Sequence, residues 1–406
     1  MINEYMINLG YTQKQIDKIV DYCINDRNYT EKGLYRKIKE IFPYLLSIGF
    51  SNKEIISMSL DCIALYTFSL DTIKRKINCL LELGYTNEET KRILYLFPRT
   101  FNLKVENINT KILLIMNLGF NKKETLNIVR INPSILGYNF SNINDKFNKL
   151  LSLGYTKKEA IKMINQNPRI FVLNNPEENI QEICKFGFTR DKVMQMCKKC
   201  PNLLGLTSKY IELKIKKLME LGYTYDQVIK MFDKFSKLFT YTIENITTKI
   251  NDLIELGYTK NQILKMTIVS PAIYSYNIFS IKKRIDDLIN LGYTKKEVID
   301  MTVSLPSLFG FCLDNIQKKK EFYDSIGLEK LFVIDPKQII QSIELSYARY
   351  MFYKSIGINI TMKNYLLLFK GQKAFIYSYK LSNEDVIKLF GYNGTINKSN
   401  SKLKIK

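Results

Sequence analysis

Eleven glycines, each preceded by an apolar residue, punctuate the chain at Gly10, Gly49, Gly84, Gly119, Gly154, Gly187, Gly222, Gly257, Gly292, Gly327 and Gly357. Their successive spacings are 39, 35, 35, 35, 33, 35, 35, 35, 35 and 30 residues. A fixed period of this length means that one supersecondary unit is repeated, and that no unit buries its apolar face without its neighbours. The best-kept core is Leu-Gly-Tyr-Thr, at Leu9–Thr12, Leu83–Thr86, Leu153–Thr156, Leu221–Thr224, Leu256–Thr259 and Leu291–Thr294.

Apolar residues at helical spacing precede each glycine, as in Ile250, Leu253, Ile254 and Leu256 before Gly257. The glycine then reads as the left-handed cap of a first helix. Two residues on, a Thr, Ser or Asn is followed three later by Glu or Gln at Glu54, Glu89, Glu124, Glu159, Gln227, Gln262 and Glu297. That spacing is a capping box opening a second helix. The aromatic between them, such as Tyr155 or Tyr293, stands where a hydrophobic staple packs on Ala160 or Val298, which gives it a structural role. A proline 14 positions after the glycine stops the second helix at Pro98, Pro133, Pro168, Pro201, Pro271 and Pro306, and a short turn follows.

The predicted fold is therefore an all-α solenoid of about nine units of helix, turn, helix and short turn, its superhelical hand left open. Residues 1–48 read as divergent N-terminal capping repeats, 49–326 as regular repeats, 327–390 as divergent C-terminal capping helices, and 391–406 as a basic, disordered tail with Lys398, Lys402, Lys404 and Lys406. The Gly222 unit carries Ser236 in place of the proline, the Gly187 unit is two residues short, and the stretch after Gly327 reads as lacking the proline. Regular geometry is in question at those places.

This pattern resembles the mitochondrial transcription termination factor (mTERF) family, whose repeats share the Leu-Gly corner, the capped second helix and a Pro-x-Leu-Leu-like tail. The unit Leu291–Gly310 shows all three, and the resemblance covers roughly residues 40–330. It implies a superhelix of three-helix units with a basic concave groove for double-stranded DNA or structured RNA, and a role in regulating transcription or other gene expression. Pentatricopeptide and TAL-effector-like arrays have a similar period but expect no proline 14 after the corner.

Charge points the same way without reference to any family. The chain has 61 Lys and Arg against 39 Asp and Glu, a formal net charge of +22 spread along its length. A distributed excess suits a long polyanion; compositional drift towards Lys, Asn and Ile is the alternative source. If a polyanion follows the stack, equivalent positions should be basic. Eight residues before each corner stand Lys76, Lys111, Lys146, Asn179, Lys214, Lys249, Arg284, Lys319 and Arg349. The eight cations of this ladder are the candidate nucleic-acid-binding residues, and over intervals of roughly 8–10 Å they span at most about 20 base pairs. The competing reading is that each bonds carbonyls of the preceding short turn. A second, broken stripe at Arg92, Lys162, Lys230 and Lys265 reads as solvated surface.

Catalysis is not expected. The chain has no histidine, the usual general base near neutrality and the commonest zinc ligand. Cys197-Lys198-Lys199-Cys200 has the spacing of half a zinc site or a redox pair, but no second pair completes it, and Leu94 with Phe97 and Phe232 with Phe235 occupy the aligned positions. Those cysteines read as core positions. Acidic pairs such as Glu88-Glu89 and Asp286-Asp287 fall at caps or on helix surfaces. No catalytic residue, metal or cofactor is called for. The expected partner is duplex DNA or structured RNA, bound by a monomer; the alternative is a scaffold holding a protein partner. No run is long and apolar enough for a membrane span. Seven unpatterned cysteines suit a reducing compartment, the cytoplasm, or an organelle matrix if a presequence was removed.

Overall fold

The computed structural model describes residues 1–173 and 175–391. The tail expected at 391–406 lies, from residue 392 on, outside the described residues. Among the described residues the chain consists of helices and turns with no strand. It divides into two compact units, residues 1–208 and residues 209 onward, the boundary falling inside the stretch read as one run of regular repeats.

The Gly257 repeat shows how the sequence builds one element of the stack. Its first helix is Ile243–Glu255, capped at the N-terminus by Thr242. Gly257 has φ +106°, the left-handed region that costs a side chain dearly. Its N–H bonds the Ile254 carbonyl, and the N–H of Tyr258 reaches back to Leu253, so the last carbonyls of the helix are satisfied. The second helix, Lys260–Val269, opens with the reciprocal bonds of a capping box between Thr259 and Gln262. Pro271 cannot continue that helix and instead begins a 3₁₀ turn, Pro271–Ser275. Ile246, Ile250, Leu253, Ile263, Met266 and Ile273, drawn from all three elements, are buried in one core. The all-α repeat fold predicted from the spacing is the observed one.

The irregular spacings have local causes. The first helix before Gly49 runs Glu31–Ser47, 17 residues against 13 in the Gly257 repeat, which lengthens that interval. Before Gly187 the first helix is only Pro176–Cys184. Ser236 begins the 3₁₀ turn Ser236–Thr240 just as a proline does, so the missing proline does not disturb the geometry there. After Gly327 the proline is not missing: Pro336 opens the turn Pro336–Ile340, and it comes early because the second helix has shrunk to Leu331–Ile334. The final helices are Gln372–Tyr379 and Asn383–Phe390.

Candidate nucleic-acid interface

The ladder stands on the first helices where sequence spacing places it, and all of its charged heads except that of Lys214 turn towards backbone. Lys76 donates to the carbonyl of Phe101, Lys111 to Leu136 and Tyr138, Lys146 to Leu173, Lys249 to Tyr276, Arg284 to Phe311, Lys319 to Ile339, and Arg349 to Leu368. In every case the acceptor is the penultimate residue of the 3₁₀ turn of the same repeat or the residue just after that turn. The competing reading named the preceding turn; the observed acceptors belong to the following one. These carbonyls lie at the negative end of a short helix and have no partner within it, so a cation there neutralises both charge and bonding deficit.

Burial separates the ladder into two groups. Lys76, Lys214 and Arg349 are 7%, 2% and 1% exposed, which corrects the expectation that these three project into a groove. Their stems are drawn into the core with the helix face they border. Lys111, Lys146, Lys249, Arg284 and Lys319 are half-buried. Loss of hydration holds Lys76, Lys111, Lys146 and Lys319 below the usual lysine range and lowers Arg349 likewise. Lys214 goes furthest, to about 8, because burial strips its water and Glu244 offsets this only partly. Its ammonium has no hydrogen-bond partner and lies 5.6 Å from the Tyr210 ring centre.

The stripe at Arg92, Lys162, Lys230 and Lys265 is exposed. So are the lysines that open several second helices: Lys53, Lys122, Lys123, Lys157, Lys158, Lys260, Lys295 and Lys296. These cations are open to solvent, as are Lys74, Lys104, Lys282 and Lys283 on the first helices and at their caps.

Two further features were not anticipated. Capping-box glutamates also pair with the next repeat: Glu54 with Lys91 at 3.9 Å, Glu89 with Arg130 at 3.6 Å, Glu159 with Lys198 at 2.7 Å and Glu297 with Lys330 at 2.7 Å. The Lys198 bond, then the cap, pull Glu159 down to about 2, and Lys330 with the cap does the same for Glu297. The corner tyrosines, besides being buried, carry hydroxyls that bridge repeats: Tyr11 to Ser59 at 2.9 Å, Tyr223 to Thr267 at 2.6 Å and Tyr258 to Thr302 at 2.7 Å. Each acceptor lies ten residues after the next corner glycine. Cys197 occupies that same position, but the Tyr155 hydroxyl donates instead to the Met194 carbonyl at 3.4 Å; the cysteine itself is buried. Burial pushes its thiol up to about 12. The Cys-x-x-Cys spacing thus marks an interface position, and among the described residues no group of three or more potential ligands could hold a metal.

No helix among the described residues is long and apolar enough to cross a membrane. No curated protein matches the chain. The mTERF family model matches three overlapping stretches, residues 66–176, 174–290 and 246–326, which together cover more than half of the sequence. The corner, the capped second helix and the 3₁₀ turn recur throughout those stretches, and the chain belongs to the mTERF family.

Proposed function

We propose that this protein binds nucleic acid without catalysis, holding duplex DNA or structured RNA by its phosphates, in the regulation of transcription or another step of gene expression. Family membership suggests nucleic-acid binding in general. The observation that carries the reading is the net charge of +22 on a repeat scaffold whose exposed cations recur in both units. Phosphate contacts position such a protein, and they need no active-site chemistry. In this reading the half-buried ladder members Lys111, Lys146, Lys249, Arg284 and Lys319 lend their field and spare N–H donors, while exposed lysines make the direct contacts. All seven cysteines are free, which supports a reducing compartment, the cytoplasm or an organelle matrix.

The test is fluorescence anisotropy of the full chain with a labelled 22-mer duplex, a hairpin RNA and single strands, each across a salt series. Phosphate binding gives log affinity falling with log salt by about 0.9 per contact on duplex DNA. A steep slope on duplex or hairpin supports the reading. Absence of binding to every probe at low salt overturns it in favour of a protein-interaction scaffold.

A further inference from the structure

The first turn of a helix exposes N–H groups with a partial positive charge, so carboxylates stabilise it and cations do not. Several second helices in this chain set lysines beside the capping residue in the first turn, Lys53 in Asn52–Asp61 among them, and four of these helices form two neighbouring pairs. In residues 1–208, Lys122 and Lys123 open Lys122–Ile131, and Lys157 and Lys158 open Lys157–Gln166. In the unit from residue 209, Lys260 opens Lys260–Val269, and Lys295 and Lys296 open Lys295–Ser304. All seven are exposed. Among the described residues none of the seven ammonium groups forms a hydrogen bond or an ion pair.

Within each block the helices are neighbours, Lys122–Ile131 against Lys157–Gln166 and Lys260–Val269 against Lys295–Ser304. Packed helices lie roughly 8–10 Å apart, close to the Debye length at physiological salt. The lysines therefore repel one another as well as the helix ends. Drift towards lysine explains charge on neutral surface and has no reason to concentrate it where the helix opposes it.

Two of these side chains also lie against a neighbouring corner. The Cε of Lys157 lies 2.7 Å from where a Cβ on Gly119 would stand, and that of Lys295 lies 3.3 Å from the same point on Gly257. In both units the stem rests on the bare corner of the preceding repeat, and the ammonium is delivered to the corner edge without a protein partner. Lys122 and Lys123 also line an open cleft of about 680 Å³ together with Arg130 and its ion-pair partner Glu89, leaving the two lysines as its unpaired charges. The capping boxes satisfy the N–H groups of the cap and third residues, so the lysines stand beside the two N–H groups of each first turn that remain open to an anion.

We propose that these two corner edges, Lys122, Lys123, Lys157 and Lys158 in one unit and Lys260, Lys295 and Lys296 in the other, are the phosphate-contact tracks for a nucleic-acid backbone. The proposal rests on the nucleic-acid reading above. It gives the two rows of cations different roles, the ladder closing 3₁₀ turns and the corner edges meeting the ligand.

The experiment compares wild type with three full-length variants on whichever of the 22-mer duplex or hairpin RNA it binds: Lys122, Lys123, Lys157 and Lys158 to Gln; Lys260, Lys295 and Lys296 to Gln; and, as control, Lys74, Lys104, Lys282 and Lys283 to Gln. On duplex the first variant should flatten the log–log salt slope by about 3–4 and the second by about 2–3, at about 0.9 per contact, with the control shifting it by less than about one. Melting temperatures of both track variants should equal or exceed that of wild type, because lysine opposes the helix dipole at these positions. Wild-type slopes in the track variants, or an equal loss in the control, overturn the tracks while leaving nucleic-acid binding standing. If wild type binds no probe, the functional reading fails and the tracks with it.

Discussion

Asn179 donates its side-chain amide to the Leu204 carbonyl, filling with a neutral group the position where Lys249 bonds Tyr276 at 2.8 Å in a later repeat. At eight of the nine ladder positions, all but Lys214, a donor meets a carbonyl at the turn, and the neutral Asn179 among them shows that charge is secondary to the donor. Changing Lys249 to Met should cost about 1 kcal/mol, the low end of the penalty for an unmet carbonyl, because the site is only partly buried. Asn179→Leu should cost about the same, although it removes no charge. Lys111→Met should cost more than either, since Lys111 serves two carbonyls. Urea unfolding of the three variants decides it: if Asn179→Leu is neutral while the lysine changes are costly, charge is what the position selects.

The tyrosine bridges make a paired prediction. Tyr258 bonds Thr302, whose own hydroxyl also donates to the Val298 carbonyl, so Tyr258→Phe should lose about 1 kcal/mol. Tyr293 stands at the same position one repeat later, but its hydroxyl is buried without a partner. The second helix that would supply one is only Leu331–Ile334. Tyr293→Phe should therefore be neutral or stabilising. Thermal unfolding of the two variants checks the contrast, and a loss for Tyr293→Phe as large as for Tyr258→Phe would refute it.

The repeat was legible because each of its parts is set by local chemistry. A glycine with positive φ, a Thr three residues before a Glu, and a proline that ends a helix act within a few residues of themselves. Ser236 misled because the 3₁₀ turn is held by packing, Leu238 and Phe239 being buried beneath a serine-started turn as Ile273 is beneath a proline-started one, and Pro336 because the helix before it is shortened to Leu331–Ile334 and shifts the proline out of register. The ladder was legible as a periodicity but not as a function, since spacing shows that a lysine borders the core and not which way its head turns. The tyrosine bridges left a trace that period alone does not reveal. Tyr223 and Tyr258 are matched by Thr267 and Thr302 in the next unit, whereas Phe50 and Phe120 are matched by Leu94 and Ile164. Reading it requires comparing the hydroxyl content of two positions in adjacent units.

Lys214 sets a pH dependence of definite sign. Its folded-state pKa is lowered to about 8 from the ordinary 10.5 by burial. Between those values the unfolded chain binds the proton that the folded chain has released, so stability rises with pH across that window. Below about pH 8 both states are protonated, and the cost of the buried charge is fully present. Lys214→Met should be more stable than wild type at pH 7, and its advantage should shrink steadily towards pH 10. Buried tyrosines such as Tyr258, raised to about 12, add an opposite trend above pH 10 to both proteins and cancel in the difference. Chemical denaturation at pH 7, 8, 9 and 10 measures it; an advantage independent of pH would show that Lys214 is not held in a depressed state.

Two corner glycines separate backbone strain from steric room. Gly119 and Gly154 have nearly equal φ, +111° and +104°, so an alanine at either meets the same left-handed penalty of about 1–2 kcal/mol. Their surroundings differ. At Gly119 a Cβ meets the Lys157 stem at 2.7 Å and Ile161 at 3.1 Å, while at Gly154 nothing lies within 4 Å. Gly119→Ala should therefore destabilise more than Gly154→Ala, the surplus being the displacement of Lys157 and Ile161. Trimming Lys157 to Ala in the Gly119→Ala background should recover part of that surplus, and the coupling between the two changes should be favourable by about 0.5–1 kcal/mol, the low end for residues in contact. Urea unfolding of the four proteins in that cycle yields the coupling directly. A value of zero would mean that the Lys157 stem does not rest on the corner, and the preorganisation of that side chain at the corner edge would lose its structural basis.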